Sequence, residues 1–282
     1  MATVAIIGAG DLGGATAQAL AQGDRVSRVL LVDGRASAAA GKALDIQQSG
    51  AVDGFHARLE GTDDPSRATG CQVCVIADRF GQTPSEWQGE EGLSMLTRLA
   101  PFLGDAPIVF AGAAHADLLA HASTEARLPR ERLIGSSPEA LVSAVAAITA
   151  MEAHCSSVEV SLTVLGTPPA GFVVPWSEAS IGGYALDRVL SQVQLTRIEA
   201  RVARLWPPGP YALAAAAAQV TDAILHASRR SFSVLTPLAG EFGVRNRVGA
   251  LPAVLGSRGI VHVRVPVLST RERVQLETAL GA

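Results

Sequence analysis

The sequence predicts an α/β protein, with a doubly wound parallel sheet in its first half and a mixed α+β region in its second. Short, continuously apolar runs alternate with helical stretches in the first half, which is typical of strands that helices cover on both faces. A glycine-rich turn directly follows the first of these runs. In the second half, strand-like and helical segments follow one another without that regular alternation.

The first half supplies four predicted strands and two predicted helices. The strands are short aliphatic runs at residues 3–7, 29–32, 73–77 and 107–111. The helices are predicted at residues 15–21, just after the glycine-rich turn, and 36–48. This order is that of a βαβ unit followed by further strands, and it predicts a parallel sheet.

The second half predicts a different arrangement. Helices are expected at residues 140–153, 188–205, 211–228 and 271–280, the last capped by Ser269 or Thr270. Strands are expected at residues 158–165, 232–238 and 259–267. No linker separates the halves, so we place the boundary inside the range 136–145 and predict two domains, 1–140 and 141–282.

Composition excludes several classes of protein. The chain has 282 residues, 48% hydrophobic and 17% charged, which excludes a disordered polypeptide. Its net charge of -3 gives no basic field for nucleic acid or an anionic membrane. The N-terminus lacks the features of a signal peptide and no apolar run is long enough to span a bilayer, so we expect a cytoplasmic protein.

Cysteine usage predicts neither a disulfide framework nor a metal site. The chain has three cysteines, too few for a disulfide-stabilised scaffold. Cys71 and Cys74 form a C-x-x-C at the start of a predicted strand, where alternation would direct them to opposite faces. No second Cys/His pair is placed to complete a zinc site, so we predict no bound metal.

The glycine-rich turn predicts a dinucleotide site. Gly8, Gly10 and Gly13 form a G-x-G-x-x-G between a strand and a helix, where they permit a tight turn, approach of a pyrophosphate and close helix packing. The helix N-terminus favours phosphate, and the carboxylate of Asp33 after the next strand accepts from ribose hydroxyls, favouring NAD over NADP. The predicted cofactor-binding residues are Gly8, Gly10, Asp11, Leu12, Gly13, Asp33 and Ala77. A turn that keeps this shape and binds nothing remains the alternative.

With its flanks included, the sequence resembles the lactate/malate dehydrogenase family. The matching stretches run in the family's order along nearly the whole chain: GAGDLGGATAQAL, VLLVDGRASAAAGKALDIQQSG, GTDDPSRATGCQVCVIA, LPRERLIGS, VPWSEASIGG and LPAVLGSRGIVHVRVPVLSTRERVQLETAL. The resemblance implies a Rossmann domain followed by an α+β substrate domain. It also implies assembly as a homo-dimer or homo-tetramer.

The resemblance further implies hydride transfer between a 2-hydroxy acid and NAD, with a His as acid/base, an Asp that orients it and an Arg that binds the substrate carboxylate. This chain departs from that pattern. Pro168 stands at the position of the His, Glu139 at that of the Asp and Val142 at that of the Arg. No Lys or Arg occurs between Leu133 and Asp187.

Two further segments depart from the family. An Asn-Pro pair is replaced by Ala114-His115, and Arg79 is the only basic residue of the loop at residues 78–87. Glu86 in this loop would repel a substrate carboxylate, or be part of a solvated loop. Asp78 replaces a glycine close to the expected cofactor and brings a negative charge near its pyrophosphate.

Three hypotheses follow. The first is an NAD(H)-binding homologue that does not perform the family's reaction and acts as a cofactor sensor or partner subunit. The second is an NAD-dependent oxidoreductase for an unknown small molecule, with His115 or Glu139 as a relocated acid/base; Asp78 or Glu139 would then orient His115. The third is a structural or oligomerising protein whose Rossmann fold binds no cofactor.

Overall fold

A computed structural model of the protein describes residues 2–169 and 171–281. Its strands are β1 (Thr3–Ile7), β2 (Arg28–Val32), β3 (Arg58–Thr62), β4 (Val73–Ile76), β5 (Ile108–Phe110), β6 (Leu133–Gly135), β7 (Val160–Ser161), β8 (Leu165–Thr167), β9 (Gly171–Val173), β10 (Ser180–Ile181), β11 (Tyr184–Ala185), β12 (Ser231–Ala239), β13 (Arg245–Gly256) and β14 (Gly259–Val263). Its helices are α1 (Asp11–Gln22), α2 (Ala36–Asp53), α3 (Gly89–Leu103), α4 (Ala116–Thr124), α5 (Ser137–Ala153), α6 (Leu186–Val189), α7 (Gln192–Val202), α8 (Pro210–Leu225) and α9 (Thr270–Leu280).

One large sheet organises the molecule. Its order is β3-β2-β1-β4-β5-β6-β12-β13-β8-β9, with β14 paired to β13. The first six strands are parallel, and β12 then joins β6 in antiparallel orientation. The chain leaves β1 toward β2 and β3 on one side and returns through β4 on the other. The carboxyl ends of β1 and β4 therefore form a topological switch point, where open α/β sheets bind their ligands.

Two apolar layers cover this sheet. Val4 and Ile6 of β1 face a core that includes α1, α2 and α8. Ala5 and Ile7 face the opposite core, which contains the apolar faces of α3 and α4. Because β1 is buried on both sides, its sequence is continuously apolar rather than alternating. The predicted doubly wound α/β fold is thereby confirmed.

The second half adds a smaller core beside the sheet. Leu141 and Val145 of α5 pack there with Ile198 of α7 and Leu186 of α6. The terminal helix α9 begins with a capping box, in which Ser269 and Glu272 bond reciprocally to each other's backbone N–H. Of the two caps proposed from the sequence, Ser269 is the one observed.

Several predicted boundaries differ from the structure. Helix α1 begins at Asp11 rather than residue 15, because the third glycine of the turn is already helical. The predicted strand 158–165 is a short 3-10 turn and then separate strands β7 and β8. The predicted helix 188–205 is divided into α6 and α7, because Ser191 caps a new helix with its own capping box.

The proposed domain boundary after residue 140 falls in the first turn of α5. The main sheet continues across it through the pairing of β6 with β12. Helix α8, from the second half, packs on α1 within the core of the first half. Among the helices of residues 2–169 and 171–281, none has both the length and the apolar character needed to cross a membrane.

Candidate cofactor site

The glycine-rich turn lies at the carboxyl end of β1, against the end of β4. Gly8 has φ +110, and a Cβ there would lie 2.3 Å from the carbonyl oxygen of Asp78. A Cβ on Gly13 would lie 2.1 Å from the carbonyl oxygen of Gly8, so the start of α1 packs directly on the turn. The N–H of Gly10 donates to the Asp78 carbonyl at 2.9 Å. Close backbone contacts within the protein therefore already require the first and third glycines.

Asp33 follows β2 and faces the same turn. Its Oδ2 accepts from the N–H groups of Ala9 and Phe80, both at 2.9 Å, and its Oδ1 accepts from the N–H of Arg35 at 3.0 Å. The residue is only 7% exposed. The structure brings Asp33 and the glycine turn together as the sequence predicts, and Asp33 also joins β2 to the loop that follows β4.

The carboxylate of Asp78 lies inside the cradle that the turn forms. Its Oδ1 accepts from the N–H of Gly13 at 2.9 Å, in the first turn of α1. A Cβ on Gly10 would lie 2.3 Å from Oδ2 of this carboxylate and 2.5 Å from Oδ1. The open side of Gly10, where the motif expects a pyrophosphate to approach, faces a carboxylate of the protein itself. The negative charge expected at Asp78 is therefore located on a backbone amide in the first turn of α1.

Asp78 belongs to the loop 78–87, which folds back on itself like a hairpin. The N–H of Arg79 donates to the carbonyl of Ser85 at 2.8 Å, and Asp78 pairs with Glu86 as an antiparallel bridge. The two carboxylates are thus brought to one end of the hairpin, where each reaches a different helix N-terminus.

The aromatic ring of Phe80 covers the surface beside Asp33. The guanidinium carbon of Arg35 lies 5.7 Å from the ring centroid and the ammonium of Lys42 lies 5.8 Å from it. Both distances are within the range of cation–π attraction. Lys42 also donates to the carbonyl of Gly10 at 2.7 Å, which ties α2 to the turn. Sequence reasoning did not identify Phe80 or Lys42 as parts of this site.

Arg79 is fully engaged by its own loop and by α3. Its guanidinium carbon lies 4.7 Å from the ring centroid of Trp87, and its Nη2 donates to the carbonyl of Pro84 at 2.7 Å. Its Nη1 forms an ion pair with Glu91 in the first turn of α3. The only cation of the loop is therefore stacked and paired within the protein.

Glu86 fastens the other end of the loop. Its carboxylate accepts from the N–H of Ala113 at 3.2 Å and of Ala114 at 2.7 Å, just before α4. Burial raises the pKa of Glu86, and the two N–H donors oppose that shift. Of the two expectations for Glu86, the solvated loop is wrong, because this carboxylate is bound to backbone amides. The sequence shows Glu86 only as a second acid of the loop. It does not show that the amides bound by this acid follow a different strand, β5.

His115 is sealed beneath this contact. It is 0% exposed, and its Nδ1 accepts from the N–H of Gly112 at 3.0 Å, which places the ring proton on Nε2. Within the described residues Nε2 has no hydrogen-bond partner, and the nearest carboxylate oxygen, from Glu86, is 3.9 Å away. Burial lowers the pKa of His115 to about 3, so its ring is neutral.

Glu139 lies elsewhere, in the first turn of α5. Its Oε2 accepts from the N–H of Ser233 on β12 at 2.9 Å. Burial raises the pKa of Glu139 to about 7, while the Ser233 N–H and the charge of Arg230 oppose the shift. The predicted orientation of His115 by Asp78 or Glu139 is wrong, because Asp78 binds Gly13 and Glu139 binds Ser233.

The remaining predicted residues have distinct environments. Ala77 is fully buried beneath the turn and donates its N–H to the Ile7 carbonyl at 2.9 Å, so it supports the cradle from below. Leu12 is buried in the core and Asp11 is exposed at the start of α1. Cys71 and Cys74 do not point to opposite faces: both enter the same core, because Cys71 precedes the strand and does not share its alternation. Burial raises the pKa of Cys71 to about 11.

The site fits the adenosine ribose of a dinucleotide but not its pyrophosphate. Asp33 and the edge of the turn suit an adenosine ribose, since a carboxylate lies there beside backbone amides. The phosphate side does not fit with the loop in this position. The Gly13 amide is already bonded to Asp78, and the space beside Gly10 contains that carboxylate. A pyrophosphate would meet a like charge at the place where the motif supplies attraction.

Comparison with known proteins agrees with the architecture. Residues 2–88 match the family described as lactate/malate dehydrogenase, NAD binding domain. Over its whole length the chain is similar to the malate dehydrogenase of Thioalkalivibrio sulfidiphilus, with 29% identity in an alignment of 297 positions that covers 100% of this chain and 97% of that protein. The predicted cofactor, NAD, is the one named for the matched domain.

Solved structures show the same fold. The malate dehydrogenase of Salinibacter ruber superposes with a TM-score of 0.90 at 24% identity, covering 99% of this chain and 94% of that one. The lactate dehydrogenase of Cryptosporidium parvum, solved with lactic acid and nicotinamide adenine dinucleotide, gives 0.89 at 21% identity over 99% and 95% of the two chains. The chain thus matches the NAD-binding domain of the lactate/malate dehydrogenase family over residues 2–88, and over its full length it is similar to malate dehydrogenases.

Proposed function

We propose that this protein binds NAD(H) through the glycine turn and Asp33 but does not oxidise 2-hydroxy acids, and that it acts as a cofactor-sensing or partner subunit. The observation that carries the proposal is that the candidate acid/base, His115, and the candidate substrate-binding cation, Arg79, are both inaccessible at the carboxyl ends of the strands. His115 is completely buried, and Arg79 is stacked and paired within its own loop. Neither group is available to a substrate.

The proton-transfer function has no suitable carrier among these residues. A general acid/base must reach the reacting oxygen and titrate near the working pH. Pro168, which follows β8 at the place where the family resemblance expects a histidine, has no titratable group. His115 does not meet the requirement either, because it is completely buried, burial lowers its pKa to about 3, and its Nδ1 is bonded to backbone.

The candidate site likewise offers no Lys or Arg from α5 to bind a substrate carboxylate. The segment between Leu133 and Asp187 contains no Lys or Arg, although it includes all of α5. The carboxylates of Glu86 and Asp78 flank the loop instead and would repel a second carboxylate. Loss of a bidentate charged contact costs several kcal/mol of binding, roughly 2–5 for a desolvated pair.

One observation favours a second candidate, an oxidoreductase with a rebuilt site and a different substrate. The pKa of Glu139 is raised to about 7, which is the value that a general base at neutral pH requires. Its carboxylate, however, is bonded to Ser233 on β12 rather than placed beside His115. This candidate predicts that Glu139→Gln abolishes turnover of some alcohol or carbonyl compound, whereas the main proposal predicts no turnover to lose.

The test combines calorimetric titration with NADH, NAD+ and NADPH and a turnover assay with L-lactate, L-malate and other 2-hydroxy acids. We expect micromolar binding of NADH, weaker binding of NADPH, and no turnover above the protein-free rate. Asp33→Asn should weaken NADH binding at least about tenfold, because the ribose loses its charged acceptor. Turnover of a 2-hydroxy acid would refute the non-catalytic part, and absence of any binding would instead favour a structural protein with an empty Rossmann fold.

Assembly and location are part of the same proposal. We infer a cytoplasmic homo-dimer or homo-tetramer, as the family resemblance implies. Exposed apolar side chains on α2, Leu44 at 57% and Val52 at 89%, support an interface on that helix. Light scattering during size-exclusion chromatography measures the assembly directly, and a monomer at micromolar concentration would contradict it.

A further inference from the structure

The loop 78–87 is bound to the cofactor site at three separate points. Asp78 accepts from the Gly13 amide, Phe80 donates its N–H to Asp33, and Glu86 accepts from the Ala114 amide. These contacts join the loop to the ends of β1, β2 and β5, the strand ends from which a dinucleotide would be held. The loop therefore lies along the cofactor cleft and uses its hydrogen-bonding groups.

Two of the three contacts place a carboxylate on amides beside a helix N-terminus. Asp78 does so in the first turn of α1, where backbone amides lack intrahelical partners and the helix dipole favours anions. Glu86 does so at Ala113 and Ala114, just before α4. The third contact uses Asp33, the predicted acceptor for the ribose. One loop thus satisfies the groups that an anionic nucleotide would otherwise satisfy.

We propose that Asp78 is an internal competitor for the phosphates of NAD(H), and that the dinucleotide enters this cleft only when the loop 78–87 releases the glycine turn. The proposal rests on NAD(H) binding as proposed above. It makes Asp78 an affinity-determining residue, whose carboxylate imitates a phosphate oxygen on Gly13. The position explains why Gly10 must lack a side chain even without a nucleotide, since a Cβ there would overlap the carboxylate.

The hairpin also has internal contacts that do not depend on the glycine turn. Arg79, Trp87 and Pro84 hold the hairpin together internally, so breaking the contacts of Asp78 and Phe80 does not require the hairpin itself to unfold. Phe80 is 37% exposed and its ring lies between two cations on α2 and the segment before it. Moving it away leaves Arg35 and Lys42 beside the cleft, where positive charges favour an entering polyphosphate.

The first experiment measures NADH affinity by calorimetry for the wild type, Asp78→Gly, Asp78→Asn and Asp105→Asn. Asp105 is an exposed acid just before the amino end of β5, on the side of the sheet away from the strand ends that form the site, so its variant controls for net charge. We expect Asp78→Gly to bind at least about tenfold more tightly than the wild type, equal to about 1.4 kcal/mol. Asp78→Asn should lie between them, because the amide oxygen can still accept from Gly13. Asp105→Asn should match the wild type.

The second experiment measures hydrogen exchange of peptides covering the loop and the start of α1, with and without NADH. Without nucleotide, exchange should be faster in Asp78→Gly than in the wild type, and NADH should accelerate loop exchange in the wild type. Equal affinities of the wild type and Asp78→Gly would overturn the competitor role while leaving NAD(H) binding intact. Faster exchange in Asp78→Gly with no NADH binding by any variant would show that Asp78 holds the loop on the glycine turn, and it would refute the proposed function. If Asp78→Gly matched the wild type in both exchange and NADH affinity, the proposal that Asp78 holds the loop on the glycine turn would be overturned.

Discussion

Replacing Glu139 by glutamine is expected to stabilise the protein above neutral pH and to change its stability little in mild acid. Glu139 is partly buried in the first turn of α5 and accepts a hydrogen bond from Ser233. Burial penalises its charged form, so the folded state holds the proton more tightly than the unfolded chain does. A glutamine keeps the accepting oxygen and removes the ionisation.

The magnitude follows from the two pKa values. The pKa of Glu139 rises from an ordinary 4.5 to about 7 on folding. Each unit of difference corresponds to about 1.4 kcal/mol, so the wild type loses about 3 kcal/mol as the pH rises through this window. The contribution of the protonated carboxyl is fully present below pH 4.5 and is lost by the time the pH has passed the folded-state value of about 7.

Urea unfolding of the wild type and Glu139→Gln at several pH values between about 4.5 and about 8 measures this difference. The free energy of unfolding of Glu139→Gln, relative to that of the wild type, should rise steadily with pH. For Glu131→Gln, a change at an exposed acid, the difference from the wild type should stay constant. A constant offset for Glu139→Gln as well would refute the reasoning, because it would mean that this carboxylate ionises normally in the folded protein.

Three further outcomes are expected. Burial lowers the pKa of His115 from 6.5 to about 3, so the stability that its neutral ring contributes is complete above pH 6.5 and is lost as the pH falls toward 3. The stability deficit of His115→Asn should therefore shrink by up to about 1.4 kcal/mol per pH unit in acid, and a pH-independent deficit would contradict this. Gly13→Ala should lower the midpoint of thermal unfolding strongly because its Cβ would lie 2.1 Å from the Gly8 carbonyl, whereas Gly41→Ala within α2, with nothing within 4 Å, should stabilise by about 0.5–1 kcal/mol. Arg79→Ala should change the fluorescence of Trp87, on which Arg79 stacks, and an unchanged spectrum would argue against that contact.

Local sequence determined how much of the fold could be predicted. The strand β1 and the glycine turn are specified within a dozen residues, so their prediction agrees with the structure. The strand β3 was missed because its sequence RLEGT has one buried aliphatic residue at the edge of the sheet. The strand β13 was missed because Gly249 and Pro252 interrupt its apolar pattern, although pairing with β12 keeps it extended.

The candidate site was only partly predictable for a related reason. Gly8, Gly13 and Asp33 are separated by short, regular elements, and the motif fixes their relation. The bond from Asp78 to Gly13 joins residues 65 positions apart, and its geometry depends on the register of β1 with β4. The sequence indicated that Asp78 would bring negative charge to the cofactor. That this charge is bonded to the Gly13 amide, in the first turn of α1, became visible only in three dimensions.

The most direct test of the central claim is a single-turnover measurement at protein concentrations well above the NADH concentration. Protein with bound NADH is mixed with oxaloacetate or pyruvate, and the near-ultraviolet absorbance of NADH is followed. We predict that NADH stays bound and is not oxidised faster than in the absence of protein, because His115 is sealed and Arg79 is engaged. Stoichiometric oxidation of the bound NADH would contradict the account and show that the family's chemistry is retained through other residues.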